Sequence, residues 1–403
     1  MVWLANVLSG FAVVIDAAVH AGGATVLSDA SLVLWLIAVT FLPAAIIAGL
    51  SLYPVRHFAG RLGLLDRPGG RKTHSAPVPL GGGIGIWIGV VMTFLIGTVA
   101  VAAVRSSSEL QQVLPPAVAE QLEGVWSRAR ALWTLLGAGT VLVVLGLWDD
   151  RKGLSPWLRL GVQFLVAAFV VIGLGFGFTA YIALPWLTTL LSIIWIVAVI
   201  NSFNMLDNMD GLSGGVATIV AISLATVMFS TPEDAKGPQW FVAAMLMVVA
   251  GGLVGFLWHN RPPAKIFMGD GGSYLVGFLI ATATLLATYA SYESPSPHAV
   301  AAPLCAMAVP LYDLATVLWI RIREGRSPFE GDQSHFSHRL VALGMTRAKA
   351  VYTIWLVTAT CGLAAILITR VTIESAVMVF GIVLCMLLLI VILESTRWRK
   401  IDE

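Results

Sequence analysis

The chain has 403 residues, of which 58% are hydrophobic and only 11% are charged. A mean hydropathy of +0.89 excludes a soluble globular enzyme and reads as an all-α, polytopic integral membrane protein. The net charge of +2 gives no reason to expect a nucleic-acid partner. Cys305, Cys361 and Cys385 all fall in apolar runs, which argues against disulfides or a zinc site.

Met1–His20 is apolar but lacks a basic leading segment and a clear small-residue cleavage site, so it does not read as a signal peptide. Asp16 and His20 also make it a poor span, and residues 1–30 are expected to be an interfacial or loosely held segment. Eleven apolar runs follow, at about 31–53, 80–104, 131–148, 157–178, 182–202, 212–230, 240–258, 273–291, 299–320, 351–369 and 373–393. Each has the roughly 20 residues that cross a hydrocarbon core of about 30 Å. No internal repeat or soluble domain interrupts them, so residues 31–394 are expected to form one helical membrane domain, with a tail over 395–403. Eighteen of the 24 Lys and Arg residues fall on the side of the C-terminus and five on the other, with Arg159 inside a span. The positive-inside rule makes the C-terminal side cytoplasmic and the bilayer a plasma membrane.

The unusual polar motifs all fall on that side. Asn201, Asn204, Asp207 and Asp210 stand where one run stops and the next begins. A carboxylate in hydrocarbon costs roughly 2.5–3.5 kcal/mol, so it is tolerated mainly where it serves a site. Steps of three keep Asn201, Asn204 and Asp207 within about 120° of a helix surface, with Asp210 on the far side. The helix is therefore expected to end near Asn208, and Asp210 to swing round in the loop opened by Gly211.

Upstream, a basic loop with Arg71, Lys72 and His74 runs into Pro77-Val-Pro79-Leu-Gly81-Gly-Gly83. Positive-inside anchoring explains its charge but not its glycines, which permit close backbone approach while Arg71 and Lys72 meet an anionic group. Asp149 and Asp150 end a span; neighbours on a helix differ by about 100°, so one can serve a metal or proton and the other a bound cation. Past His259-Asn260, the turn Phe267-Met-Gly269-Asp270-Gly-Gly-Ser273 opens another span. It sets an oxygen ligand at a helix N-terminus, as suits Mg²⁺ held by one or two carboxylates with water and substrate phosphates. Asp270 and Asp207 are expected on the same side at similar depth. The long loop after residue 320 carries Arg326, His335, His338 and Arg339. If it is helical, the last three share a face, which suits a diphosphate better than zinc. Thr346 is a candidate N-cap for the next helix.

Together these residues suit phosphoryl chemistry on a charged soluble substrate, with a lipid arriving laterally. An ion-coupled transporter is the competing class, but its coupling acids lie near mid-membrane in repeated halves. Here the acids sit at span ends and no repeat is visible.

In order and over about residues 50–394, these motifs resemble those of the polyprenyl-phosphate N-acetylhexosamine-1-phosphate transferases. The resemblance implies transfer of a sugar-1-phosphate from a UDP-N-acetylhexosamine to undecaprenyl phosphate, releasing UMP, with Mg²⁺ or Mn²⁺ required. It implies that Asp270 is a metal ligand with Asp207 close to it, and that Asp149, with Asp150 beside it, deprotonates or orients the lipid phosphate. Lys72, Asn201, Asn204, Asp210 and Asn260 match positions lining the nucleotide site, and Phe267 an aromatic near the uracil. Arg326, His335 and His338 match the loop that contacts diphosphate and sugar. The partners implied are the UDP-sugar, the lipid phosphate and the bilayer, the chain acting alone or as a homodimer. Arg-Ser-Pro-Phe followed by His-x-x-His is similar to the branch using UDP-N-acetylglucosamine to prime O-antigen, common-antigen or teichoic-acid synthesis. The triple-His-Phe-Glu run of the UDP-MurNAc-pentapeptide branch, which acts in peptidoglycan synthesis, is missing. Two departures from the family pattern bear on the sugar: Asn208, where glycine is commoner, and Phe336-Ser337, in place of a His-rich run.

Overall fold

The computed structural model describes residues 26–66, 77–107, 122–178, 184–230, 239–289, 297–329 and 334–395. Lys72, Arg71, His74 and the segment 1–25 lie outside them. The described chain is helical apart from one short ribbon. In order the helices are α1 (Val26–Phe58), α2 (Gly82–Ser106), α3 (Leu122–Lys152), α4 (Pro156–Ala168), α5 (Pro185–Leu206), α6 (Leu212–Phe229) and α7 (Trp240–Asn260). They continue with α8 (Gly269–Leu286), α9 (Ala302–Ala306), α10 (Ala308–Arg323), α11 (Phe336–Ala342), α12 (Arg347–Ile368) and α13 (Ile373–Ser395). Among the described residues ten helices are long and apolar enough to cross a membrane, counting α4 with the π-helical turn Phe169–Gly173 that continues it, and eleven if the bent pair 297–306 and 308–323 counts as one span. The protein is a multi-pass, all-α membrane protein.

Two boundaries differ from the hydropathy reading. The run at 131–148 belongs to a helix that begins earlier, at Leu122. The run at 299–320 is broken at Met307 and bends by 65°; Pro310 has no amide to offer the carbonyl four residues back, so a fresh helix starts there. α5 ends at Leu206, with Asp207 as its C-cap, and the following turn reaches Gly211 at φ 76°, close to the expected arrangement. Thr346 caps α12 by accepting from the Lys349 amide at 3.4 Å, as expected.

Burial rises toward the middle. In the apolar windows of α6, α7 and α8 the buried share is 83%, 72% and 89%, against 11% for α1 and 17% for α13. Lipid offers no hydrophobic drive for helices to associate, so close van der Waals packing through small residues must hold this centre. The start of α8 is the tightest place. A Cβ on Gly83 of α2 would collide with the Gly272 backbone, and one on Gly146 of α3 with the Gly271 backbone.

The ribbon leads into that crossing. Leu65–Asp66 (β1) pairs antiparallel with Val78–Pro79 (β2). The Phe267 amide then donates to the Pro79 carbonyl, and the Gly82 and Gly83 amides donate to the Phe267 and Met268 carbonyls, all at 2.9 Å. The Pro-x-Pro-x-Gly-Gly-Gly run is thus a backbone staple onto the segment that opens α8. Gly83→Val is expected to lower the unfolding temperature in detergent by the several degrees that overpacking of about 1–3 kcal/mol brings. Gly97→Val, on a face with nothing within 4 Å, should leave it unchanged; equal melting of the two variants would refute this account of the crossing.

Candidate active site

The helix ends surround a cavity of about 830 Å³, large enough for a substantial polar ligand. Asp66, Asp150, Asn204, Asp207, Asn208, Asp210, Asn260, Phe267, Asp270 and His338 line it, with Arg347 at its rim. Carboxylates from α3, from the turn after α5 and from the start of α8 therefore meet, although 57 to 120 residues separate the groups in sequence.

Each acid is held by its own local structure. The Asp270 amide, at the N-terminus of α8, donates to Asp150 Oδ1 at 3.0 Å. Free amides at a helix start favour a negative group. Asp150 Oδ2 is buried with no hydrogen-bond partner. Gly269 stands at φ 71°, and a Cβ there would come within 2.5 Å of that oxygen, so the carboxylate needs glycine on both counts. Asp270 Oδ1 accepts from Asn204 Nδ2 at 2.6 Å, and the same nitrogen reaches Ser273 Oγ at 3.1 Å. Asp210 Oδ2 accepts from the Ala264 amide at 2.9 Å. Burial, with the Asp150 carboxylate close by, pushes the Asp207 carboxyl up to about 7. Five aspartates line the cavity against one arginine, so acidic groups predominate there.

Asp149 does not line this cavity but sits directly behind it, its carboxyl in side-chain contact with that of Asp270. It is 7% exposed, and its carboxylate accepts from the Leu154 amide at 2.6 Å, Tyr274 Oη at 3.3 Å and Arg159 Nη1 at 2.7 Å. The Arg159 guanidinium lies 3.9 Å from Asp270 Oδ2, so it faces both Asp149 and the cavity acid that Asp149 touches. No motif included Arg159, yet an arginine inside a span is costly unless paired or functional, and that was its signal.

The other expected residues divide. Asn260 lines the cavity, but its Oδ1 accepts from the Gly211 amide and its Nδ2 donates to the Ile266 carbonyl, both at 2.8 Å, so it clamps two loops together. Asn201 does not line the cavity; Gln163 on α4 takes its amide at 2.7 Å. His335 stands just before α11, its ring 6.0 Å from that of His338 on the helix, while Arg339 reaches other partners. His335 is the N-cap of α11 and lies 3.0 Å from the fully buried Asp313, which also accepts from the Phe336 amide at 2.6 Å. Arg339 donates to Glu394 at the end of α13 at 2.9 Å and to Thr316 at 3.0 Å. Arg326 pairs with Glu324 outside the cavity. Acidic side chains outside the cavity thus engage His335, Arg339 and Arg326, and of the four residues only His338 lines the cavity. Arg347 had a signal too: a cation in a helix's first turn opposes the macrodipole.

Acids from several helix ends closing one cavity in a multi-pass bundle define a membrane enzyme with a polar, anion-rich site. A family model described as glycosyl transferase family 4 matches residues 132–288. The decaprenyl-phosphate N-acetylglucosaminephosphotransferase of Mycobacterium tuberculosis is 32% identical over 369 residues, 86% of each chain. That of Mycobacterium leprae is 33% identical over 340 residues, 79% of this chain and 80% of its own. The undecaprenyl-phosphate alpha-N-acetylglucosaminyl 1-phosphate transferase of Yersinia pestis is 28% identical over 358 residues, 86% and 88% of the two chains. This chain belongs to glycosyl transferase family 4, the polyprenyl-phosphate N-acetylhexosamine-1-phosphate transferases that its motifs resemble. The transporter reading falls with that membership.

Arg159→Met leaves the Asp149 carboxylate buried without its cation and is expected to cost about 3 kcal/mol of stability. Adding Asp149→Asn should restore at least half of the lost melting temperature in detergent. No recovery would assign the loss to packing instead of charge.

Proposed function

We propose that this protein transfers N-acetylglucosamine-1-phosphate from its UDP-sugar to undecaprenyl phosphate at the cytoplasmic membrane face, releasing UMP and priming a cell-surface polysaccharide. The observation that carries this is the convergence of Asp150, Asp207, Asp210 and Asp270 with Asn204, Phe267 and His338 around one cavity. The names of the M. tuberculosis and Y. pestis relatives supply the sugar phosphate and the lipid class. The excess of Lys and Arg on the C-terminal side supports the orientation.

The donor set suits Mg²⁺. Among the described residues no three His, Cys, Asp or Glu close around an ion, so the protein offers an open carboxylate face and not a cage. That matches a cation that keeps water and takes up substrate phosphates. Asp207 and Asp270 would hold it, and Asp150 Oδ2, buried without a hydrogen-bond partner, shows that this wall of the cavity is short of donors. When bound, the ion offsets the repulsion between the diphosphate and the attacking phosphate.

The remaining work belongs to the chain. A phosphate monoester with a second pKa near 6 is already largely ionised at neutral pH, so the lipid needs orientation more than deprotonation. Asp149, saturated by three donors, supplies it by holding Arg159 beside Asp270. Arg347 and His338 offer positive charge or hydrogen bonds to the leaving phosphate. The lipid phosphate attacks directly, since no protein nucleophile is needed.

Purified protein given undecaprenyl phosphate, Mg²⁺ and UDP-N-acetylglucosamine is expected to form UMP, and chelation of Mg²⁺ to stop it. Asp270→Ala and Asp149→Ala should each lower the rate by about 100-fold or more, whereas Arg347→Gln should chiefly raise KM for the UDP-sugar. Absence of UMP with every member of a UDP-N-acetylhexosamine panel would end the proposal.

A further inference from the structure

The short helix α11 brings His338 to the cavity, and it is fastened to other elements at three points. Asp313 on α10 accepts from its first amide. Glu394 on α13 takes Arg339. The third fastening reaches the acidic turn itself: Ser337 Oγ, fully buried, donates to Asn208 Oδ1 at 2.5 Å. Asn208 lines the cavity between Asp207 and Asp210, and its Nδ2 donates to the Met205 carbonyl at 2.8 Å. Both ends of its amide are therefore committed, one to the helix it follows and one to α11. The partners are 129 residues apart.

We propose that Asn208 and Ser337 form a latch that sets the distance between the acidic turn and His338, and so positions His338 for the transfer step. The physical reason is local. A glycine at 208 would leave the turn after α5 without a side-chain tie to α11. An alanine at 337 would leave the cavity side of α11 without its tie to the turn. His338 would then keep its anchors to α10 and α13 but lose its register against Asp207 and Asp210. Substrate is not needed to close the latch, so its two halves should depend on each other in the free protein as well as in turnover.

The test is a double-mutant cycle on Asn208→Gly and Ser337→Ala with two readouts. In protein labelled at histidine, with the His338 resonance assigned from its loss in His338→Gln, each single change is expected to shift that resonance. The double variant should shift it no further. In turnover with UDP-N-acetylglucosamine, each single change is expected to lower kcat by about tenfold with KM nearly unchanged, and the double by the same factor. The kinetic arm rests on the transferase reading; the spectroscopic arm does not. If the unmutated protein has no turnover while the resonances are coupled, that reading fails and the latch stands. Additive resonance shifts, or coupled shifts with unchanged kcat, overturn the proposal. A fall in melting temperature that tracks kcat in all three variants also overturns it, because the contact would then be structural only.

Discussion

The hydrogen bond from the Asp270 amide to the Asp150 carboxylate is the contact on which the rest of the site depends. It joins the last turn of α3 to the first turn of α8, and a helix N-terminus is one of the few places near a bilayer where a carboxylate finds ready donors. With Asp150 fixed there, Asp270 follows on the same helix, and Asn204 closes from α5. The glycines at 83 and 146 let the backbones of α2 and α3 reach α8, so the bond forms without a side chain in the way. Remove that approach and the acids would point from separate helices into separate water.

Much of the fold was legible because hydrocarbon imposes one simple demand, about 20 apolar residues per crossing. The eleven runs correspond to ten helices and one bent pair. What hydropathy lacked was geometry within a run. The stretch 299–320 is apolar on average despite Asp313, so its break at Met307 leaves no trace in a hydropathy window, although Pro310 hints at it. The ribbon of Leu65–Asp66 with Val78–Pro79 is two residues long on each side, too short for any periodicity to register.

For the site, the acids were readable and the cations were not. Asp150, Asp207, Asp210 and Asp270 each end or open a span, where their cost in lipid singles them out. Arg339, His335 and Asn201 were read as facing substrate because their chemistry suits a phosphate or a nucleotide. Their partners, Glu394, Asp313 and Gln163, lie on other helices, and no local spacing reveals such a pairing. Arg159 was missed for the converse reason: its partner, Asp149, was itself taken to face the substrate. Buried polar groups are decided by who can reach them, and reach is a tertiary property.

The gradient of burial across the bundle bears on how the protein lives with its membrane. Bilayers differ in thickness, and helices answer a mismatch by tilting, at a modest cost for each ångström. α1 packs on α7 along one side only, with 11% of its apolar window buried, whereas α8 is enclosed on nearly every side. Leaning in response to a thinner or thicker bilayer therefore falls to the periphery, and the gathering of acids rides on a part of the bundle that lipids scarcely touch.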